Sequence, residues 1–260
     1  MDHQQTVSNL SYEPIKSLEA KKIGVTQPFT WLAKGWETFT ELKWQAMTFG
    51  AVFALIGGFI SYMAINNTQL LFAFWSGFLF VAPMIAMMTF YMAKSKDNQE
   101  SVSIAKCLGL LRQNLGTSLL MALFLSLFMV AWIRITTLAV AVYAGGSTIQ
   151  LGITDSLAGF AASGVFLPVL ALTAIISLLM FALLAWSMPM LADSRQNIAT
   201  AIISSFNAVL KQPAPMLLWA AIVAGLTLLS MATFFVAFVV VFPWLGFATW
   251  EAYKNLFKRD

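Results

Sequence analysis

Four features of this chain carry side chains with chemistry to offer: a charge inside an apolar run, a row of thioethers, a single thiol and a short polar cluster. Arg134 is the charge, set in a stretch that is otherwise charge-free. A cation in hydrocarbon is costly, so it marks a functional site unless it can reach water. Counted from Thr117 at about 1.5 Å per helical residue, Arg134 lies about 25 Å along a helix, near the far edge of a hydrocarbon core about 30 Å thick. From there it can snorkel to the interface beside Trp132. The alternative role is a specific ion pair, for which Asp155 is the acidic candidate beyond the membrane.

Met84, Met87, Met88 and Met92 recur at near-helical spacing, and thioethers are soft ligands suited to Cu(I). Methionine also fills irregular gaps between helices, and no Cys or His accompanies this row. The one histidine, His3, stands in the polar N-terminal stretch, whereas haem or copper chemistry draws on several ligands within or at the rim of the membrane. No cofactor or metal is therefore expected. Cys107, the one cysteine, has no partner for an internal disulfide. The cluster Asp193, Ser194, Arg195, Gln196, Asn197 has the residue types to recognise a ligand headgroup, but it reads first as a loop and N-cap opening a helix. With no hydrolytic triad, phosphate-cradling glycine loop or pair of midplane carboxylates, no enzyme is expected.

The elements that carry these residues are apolar. Sixty per cent of the 260 residues are hydrophobic and 10% charged, which excludes an ordinary soluble domain. The mean hydropathy of +0.80 agrees. The composition predicts an all-α polytopic membrane bundle, with residues 1–27 a flexible polar tail and 28–260 a single membrane domain. No apolar run precedes residue 28, so the first span is expected to direct insertion. Four spans are charge-free or nearly so: Gln45 to Ile65, Leu70 to Ala93, Thr117 to Tyr143 and Gly164 to Met190. From Pro213 to Phe257 the chain runs apolar without a polar loop. Lys and Arg are absent from the loops Asn66 to Gln69 and Ala144 to Ser163, which the positive-inside rule places outside. Two final crossings, Pro213 to Met231 and Phe235 to Lys254, then leave every one of the 15 Lys and Arg except Arg134 on the cytoplasmic side. About six transmembrane helices with both termini cytoplasmic are predicted. The positive charge is explained by this topology, so nucleic acid is not an expected partner; membrane lipids are.

Three amphipathic stretches precede the three hairpins on the same side, with apolar residues at helical spacing: Phe29, Leu32, Trp36, Phe39; Ile104, Leu108, Leu111, Leu115; and Ile198, Ile202, Phe206, Val209. The second helix of each hairpin carries a proline, Pro83, Pro189 or Pro243. Helix, hairpin and proline thus recur three times, which suggests three pseudo-repeated units; such features are also common near any membrane interface. Gly50, Ala54 and Gly58 form a small-residue face in the first span where another helix, of this chain or of another subunit, can approach closely. Tryptophans 31, 36, 44, 186, 219, 244 and 250 lie near the cytoplasmic ends and are expected to form an interfacial belt.

Several pieces resemble an uncharacterised bacterial membrane family, the domain of unknown function 2189 family. They are WLAKGW at Trp31 to Trp36, GFLFVAPMIA at Gly77 to Ala86, WIR at Trp132 to Arg134, SMPMLADSRQNIATAIISSFNAV at Ser187 to Val209 and PWLGFATWEAY at Pro243 to Tyr253. The family's ending often carries histidines where this chain has Phe247 and Glu251, so no metal or haem role transfers to those positions. Some relatives are labelled cytochrome c oxidase subunits. The resemblance therefore implies a bacterial inner-membrane protein with a link to respiratory complexes and no established activity. Together with the packing-competent faces, this leads to the expectation of a non-catalytic accessory or assembly subunit of a larger complex. The alternative is a transporter, channel or lipid-handling protein for an uncharged or lipid-like substrate, since repeats and proline-broken helices build many transport sites.

Overall fold

A computed structural model describes residues 18–66, 85–143, 166–193 and 197–257. Pro83, Met84, Asp155, His3, residues 67–69 and 144–163 of the predicted outer loops, Ser194, Arg195 and Gln196 of the polar cluster, and most of the second predicted span lie outside the described residues. Among the described residues all regular structure is helical. The helices are α1 (Gln27–Glu41), α2 (Lys43–Asn66), α3 (residues 85–97), α4 (Ile104–Gln113), α5 (Leu115–Tyr143), α6 (Phe166–Leu184), α7 (Ser187–Asp193), α8 (Ile198–Lys211), α9 (Pro213–Ala232) and α10 (Phe238–Phe257).

Among these residues three helices are long and apolar enough to cross a membrane, at Leu115–Ile135, Leu170–Asp193 and Pro213–Ala232; a bent pair, α1 with the first part of α2, makes a fourth candidate. The final apolar stretch is two helices, separated at residues 233–237. Its turn is closed by Phe235 N–H donating to Ser230 O at 3.0 Å, with Phe234 and Phe235 at φ of 49° and 68°. Met216 and Trp219, near the start of α9, pack with Ala248, Ala252 and Leu256 near the end of α10, so the two helices run antiparallel.

The three amphipathic stretches are helices α1, α4 and α8. Each is joined to an apolar helix by one non-helical residue: Leu42, Asn114 and Gln212. At Leu42 the chain turns by 104°, so α1 lies nearly at right angles to α2. Pro28 opens α1 and Pro213 opens α9, at positions where the missing N–H costs nothing. Asn197 caps α8, its side chain accepting from Ala199 N–H at 3.1 Å, which is the helix-opening role foreseen for it.

The buried faces of these helices differ from their apolar stripes. In α1 the core receives Trp31, Gly35, Thr38 and Phe39, while Phe29 and Trp36 are exposed. In α8 it receives Ala201, Ser204, Ser205 and Ala208. Small residues line both seams because they let backbones come close, a gain that hydrophobicity does not register. Ser205 uses the seam, donating to Ala182 O at 2.8 Å and accepting from Trp186 N–H at 3.2 Å, which satisfies backbone groups at the break between α6 and α7.

At the centre stands α10, which buries Phe238, Val241, Pro243, Phe247, Ala248, Trp250, Ala252, Tyr253 and Leu256. A Cβ on Gly35 would lie 2.6 Å from Ala248 N; one on Gly50 would overlap Val239 backbone, and one on Gly246 would overlap Thr89. Helices α1, α2 and α3 thus each meet α10 at a glycine. Phe53 of α2 stacks on Phe242 at 4.1 Å. Trp31 meets Trp186 and Trp219 edge-on at 5.8 and 5.6 Å. This corrects the expected tryptophan belt: Trp31, Trp186, Trp219 and Trp250 are core residues, and of the seven only Trp36 and Trp44 are largely exposed. The small-residue face also divides. Gly50 is used within the chain, whereas Gly58 meets nothing within 4 Å among the described residues.

Gly50→Ala is expected to lower stability by about 1–3 kcal/mol through overpacking against Val239. Gly58→Ala should be neutral or, through helix propensity, stabilising by up to about 1 kcal/mol. Thermal unfolding of the two variants in detergent checks both.

Candidate functional site

The second helix of each hairpin ends in charged residues, and those ends meet. Asp193, the last residue of α7, accepts from the Tyr253 hydroxyl of α10 at 2.9 Å and faces Lys94 Nζ of α3 at 3.4 Å. Lys94 also donates to the backbone carbonyls of Ala192, at 3.5 Å, and Asp193. Asp97, one turn on along α3, accepts from Trp250 Nε1 at 2.8 Å and from Lys254 Nζ at 3.0 Å, both on α10. Lys254 is paired in turn with Glu251 at 2.7 Å. Helices α3, α7 and α10 are therefore tied pairwise into a closed triangle of charged bonds. The Lys94, Asp193, Asp97 and Lys254 side chains are 15–31% exposed, so these bonds are less screened than surface pairs. Lys96 extends the network to α1, through Glu41 at 2.8 Å and Thr38 Oγ1 at 3.1 Å.

Beside the triangle is a cavity of about 240 Å³ lined by Tyr91, Lys94, Leu110, Gln113, Asn114, Leu191, Ala192 and Asp193. Asn114, the residue between α4 and α5, donates to Tyr91 Oη at 3.0 Å and to Leu110 O at 3.1 Å. The cavity combines one cation, one carboxylate, two amides and a phenol, a set able to hold a polar ligand by charge and hydrogen bonds.

The residues singled out from sequence are dispersed. Arg134 is exposed on α5 and Trp132 half-buried beside it, remote in sequence from every cavity-lining residue. Pro189 is buried in α7, just before Asp193, and Pro243 is buried inside α10. Gly50 and Gly58 lie on α2. Met87, Met88 and Met92 are core residues, and Met87 Sδ accepts from Ser118 Oγ at 3.0 Å. Among the described residues no three His, Cys, Asp or Glu side chains gather as a ligand set. Cys107 is fully buried; burial pushes its thiol pKa up, against a smaller opposing pull from Lys106.

In the sequence Lys94 and Lys254 read as topology markers and Asp193 as part of a loop, while Asp97 is assigned no role. A signal for them was present: Lys94 and Lys254 stand at the same distance beyond Pro83 and Pro243, each with an acidic residue three away.

Residues 71–193 match the model of the family described as predicted integral membrane protein (DUF2189). The chain is thus an integral membrane protein, in contact with lipid. The DUF2189 segment contains every residue that lines the cavity, together with Lys94, Asp97 and Asp193 of the triangle. The α10 members, Trp250, Tyr253 and Lys254, follow it. No curated protein and no solved structure matches the chain.

Asp193→Ala should destabilise the protein by about 1.5–3 kcal/mol, the range for losing hydrogen bonds to a charged group. Glu41→Ala, whose side chain is 60% exposed, should cost less than about 1 kcal/mol. Denaturation in detergent micelles distinguishes them. Because its thiol is buried and its pKa raised, Cys107 should react with maleimide far more slowly in the folded protein than after denaturation, as read by mass spectrometry.

Proposed function

We propose that this protein is a non-catalytic accessory or assembly component of a larger membrane complex, seated in a bacterial inner membrane with both chain ends on the cytoplasmic side. One observation carries the reading. Among the described residues, fewer than a quarter of the most apolar stretch of each of the three spans is buried within the chain, whereas the charged groups are engaged in tying helices together. Helices α5, α6 and α9 present long apolar faces, including Leu123, Leu127, Ile175, Leu178 and Leu228, to lipid or to helices of a partner. In lipid such faces associate by close packing rather than by a hydrophobic drive, and Gly58, with no neighbour among the described residues, offers one place for it. The side on which the basic residues gather supports the orientation. A respiratory oxidase as the host complex rests on the family resemblance.

One observation favours a second reading, a transporter or lipid-handling protein: the polar cavity between α3, α4 and α7.

Purification of the tagged protein from its native membrane in a mild detergent, with mass spectrometry and a reduced-minus-oxidised haem spectrum, tests the first reading. Stoichiometric membrane subunits are expected, with a haem signal if the host is an oxidase. A clean protein without partners contradicts it and directs attention to transport.

A further inference from the structure

The cavity beside Asp193 offers complementary groups for both halves of a dipolar ligand. Lys94 and Asp193 contribute one charge of each sign. Lys94 donates closely to the Asp193 carbonyl, while its contacts to Asp193 Oδ1 at 3.4 Å and to Ala192 O at 3.5 Å are long and are the ones a phosphate would replace. The Tyr91 hydroxyl accepts from Asn114, which leaves its own proton to donate. Gln113 is exposed and adds amide donors. Asn114 has committed both amide hydrogens, to Tyr91 and to Leu110 O, so its carbonyl oxygen serves as an acceptor beside the Asp193 carboxylate. The lining thus offers a cation and neutral donors for a phosphate, and an anion and a carbonyl for an ammonium that carries hydrogens.

The surroundings indicate where such a ligand comes from. Helix α4, which forms one wall, exposes Ile104 and Leu108 together with Lys106 and Arg112, the pattern of a helix lying in the headgroup region of a bilayer. Leu110 and Leu191 supply apolar lining. A volume of about 240 Å³ is far above the ~10–15 Å³ that one water needs.

We propose that this cavity binds the headgroup of a zwitterionic phospholipid with a primary ammonium, phosphatidylethanolamine, with the phosphate toward Lys94, Tyr91 and Gln113 and the ammonium toward Asp193 and Asn114. A choline headgroup has no N–H to donate, and a glycerol headgroup brings no cation to Asp193. The site requires neither reading of function: a bound lipid can brace a subunit as well as occupy a transport route.

The test uses the full chain purified in mild detergent. Its retained lipids are quantified, and after delipidation its melting temperature is followed in mixed micelles of phosphatidylethanolamine, phosphatidylcholine or phosphatidylglycerol, and with soluble phosphoethanolamine. The wild type is expected to retain phosphatidylethanolamine over phosphatidylglycerol at a ratio severalfold above that of the membrane extract, and to melt several degrees higher with it than with the other two lipids. Asp193→Asn should lose both effects. Because that change also touches the helix triangle, Gln113→Leu provides an exposed substitution that should abolish the enrichment while leaving the lipid-free melting temperature unchanged. Equal retention of all lipids, or a phosphatidylethanolamine shift that survives in Gln113→Leu, overturns the proposal. An equal shift from soluble phosphoethanolamine overturns the assignment to a lipid.

Discussion

Within lipid, apolar side chains gain little by moving from hydrocarbon to one another, so helices are held by close backbone approach and by polar bonds. The fold meets that constraint on one helix, α10. Along its length α1, α2 and α3 approach at glycine contacts, where Gly35 meets Ala248, Gly50 meets Val239 and Gly246 meets Thr89. At its charged end, Tyr253 binds Asp193 on α7 and Lys254 binds Asp97 on α3. Dispersion supplies the first set of contacts and charge the second.

This division explains why the charged end is both the most tied part of the molecule and the part with chemistry to offer. A bond such as that from Lys94 to Asp193 must be satisfied when partly buried, and the residues that satisfy it wall a polar cavity. The N-terminal segment secures the same end: Lys21 N–H donates to Leu256 O at 2.9 Å, and the Gln212 side chain bridges Lys21 O and Ile23 N–H, both at 2.8 Å. The hinge residues Asn114 and Gln212 are therefore more than breaks in helix. Their amides bond to neighbouring segments and help to fix where α5 and α9 begin.

Hydropathy and charge made the helical membrane class, the amphipathic α1, α4 and α8, and the separation of α9 from α10 legible in the sequence. Hydrophobicity failed where packing depends on size. The apolar stripe Phe29, Leu32, Trp36, Phe39 pointed to one face of α1, whereas Gly35 and Thr38 mark the face that meets the core. Tryptophan was assigned to an interface from its position along each span, yet Trp186 and Trp219 close on Trp31 because three chain segments converge there. The polar triangle was hidden for a related reason. Lysines at the ends of spans serve topology in any membrane protein, and only the fold shows that Lys94 and Lys254 are paired with acids from other helices.

The direct measurement of that closure is a double-mutant cycle on Asp97 and Lys254, each replaced by Ala alone and together, with unfolding free energies measured in detergent. A pair at 2.9 Å with both side chains at least two-thirds buried should show a coupling energy of about 0.5–3 kcal/mol. Additive effects, with a coupling indistinguishable from zero, would contradict the view that charged bonds between helix ends hold α3 to α10.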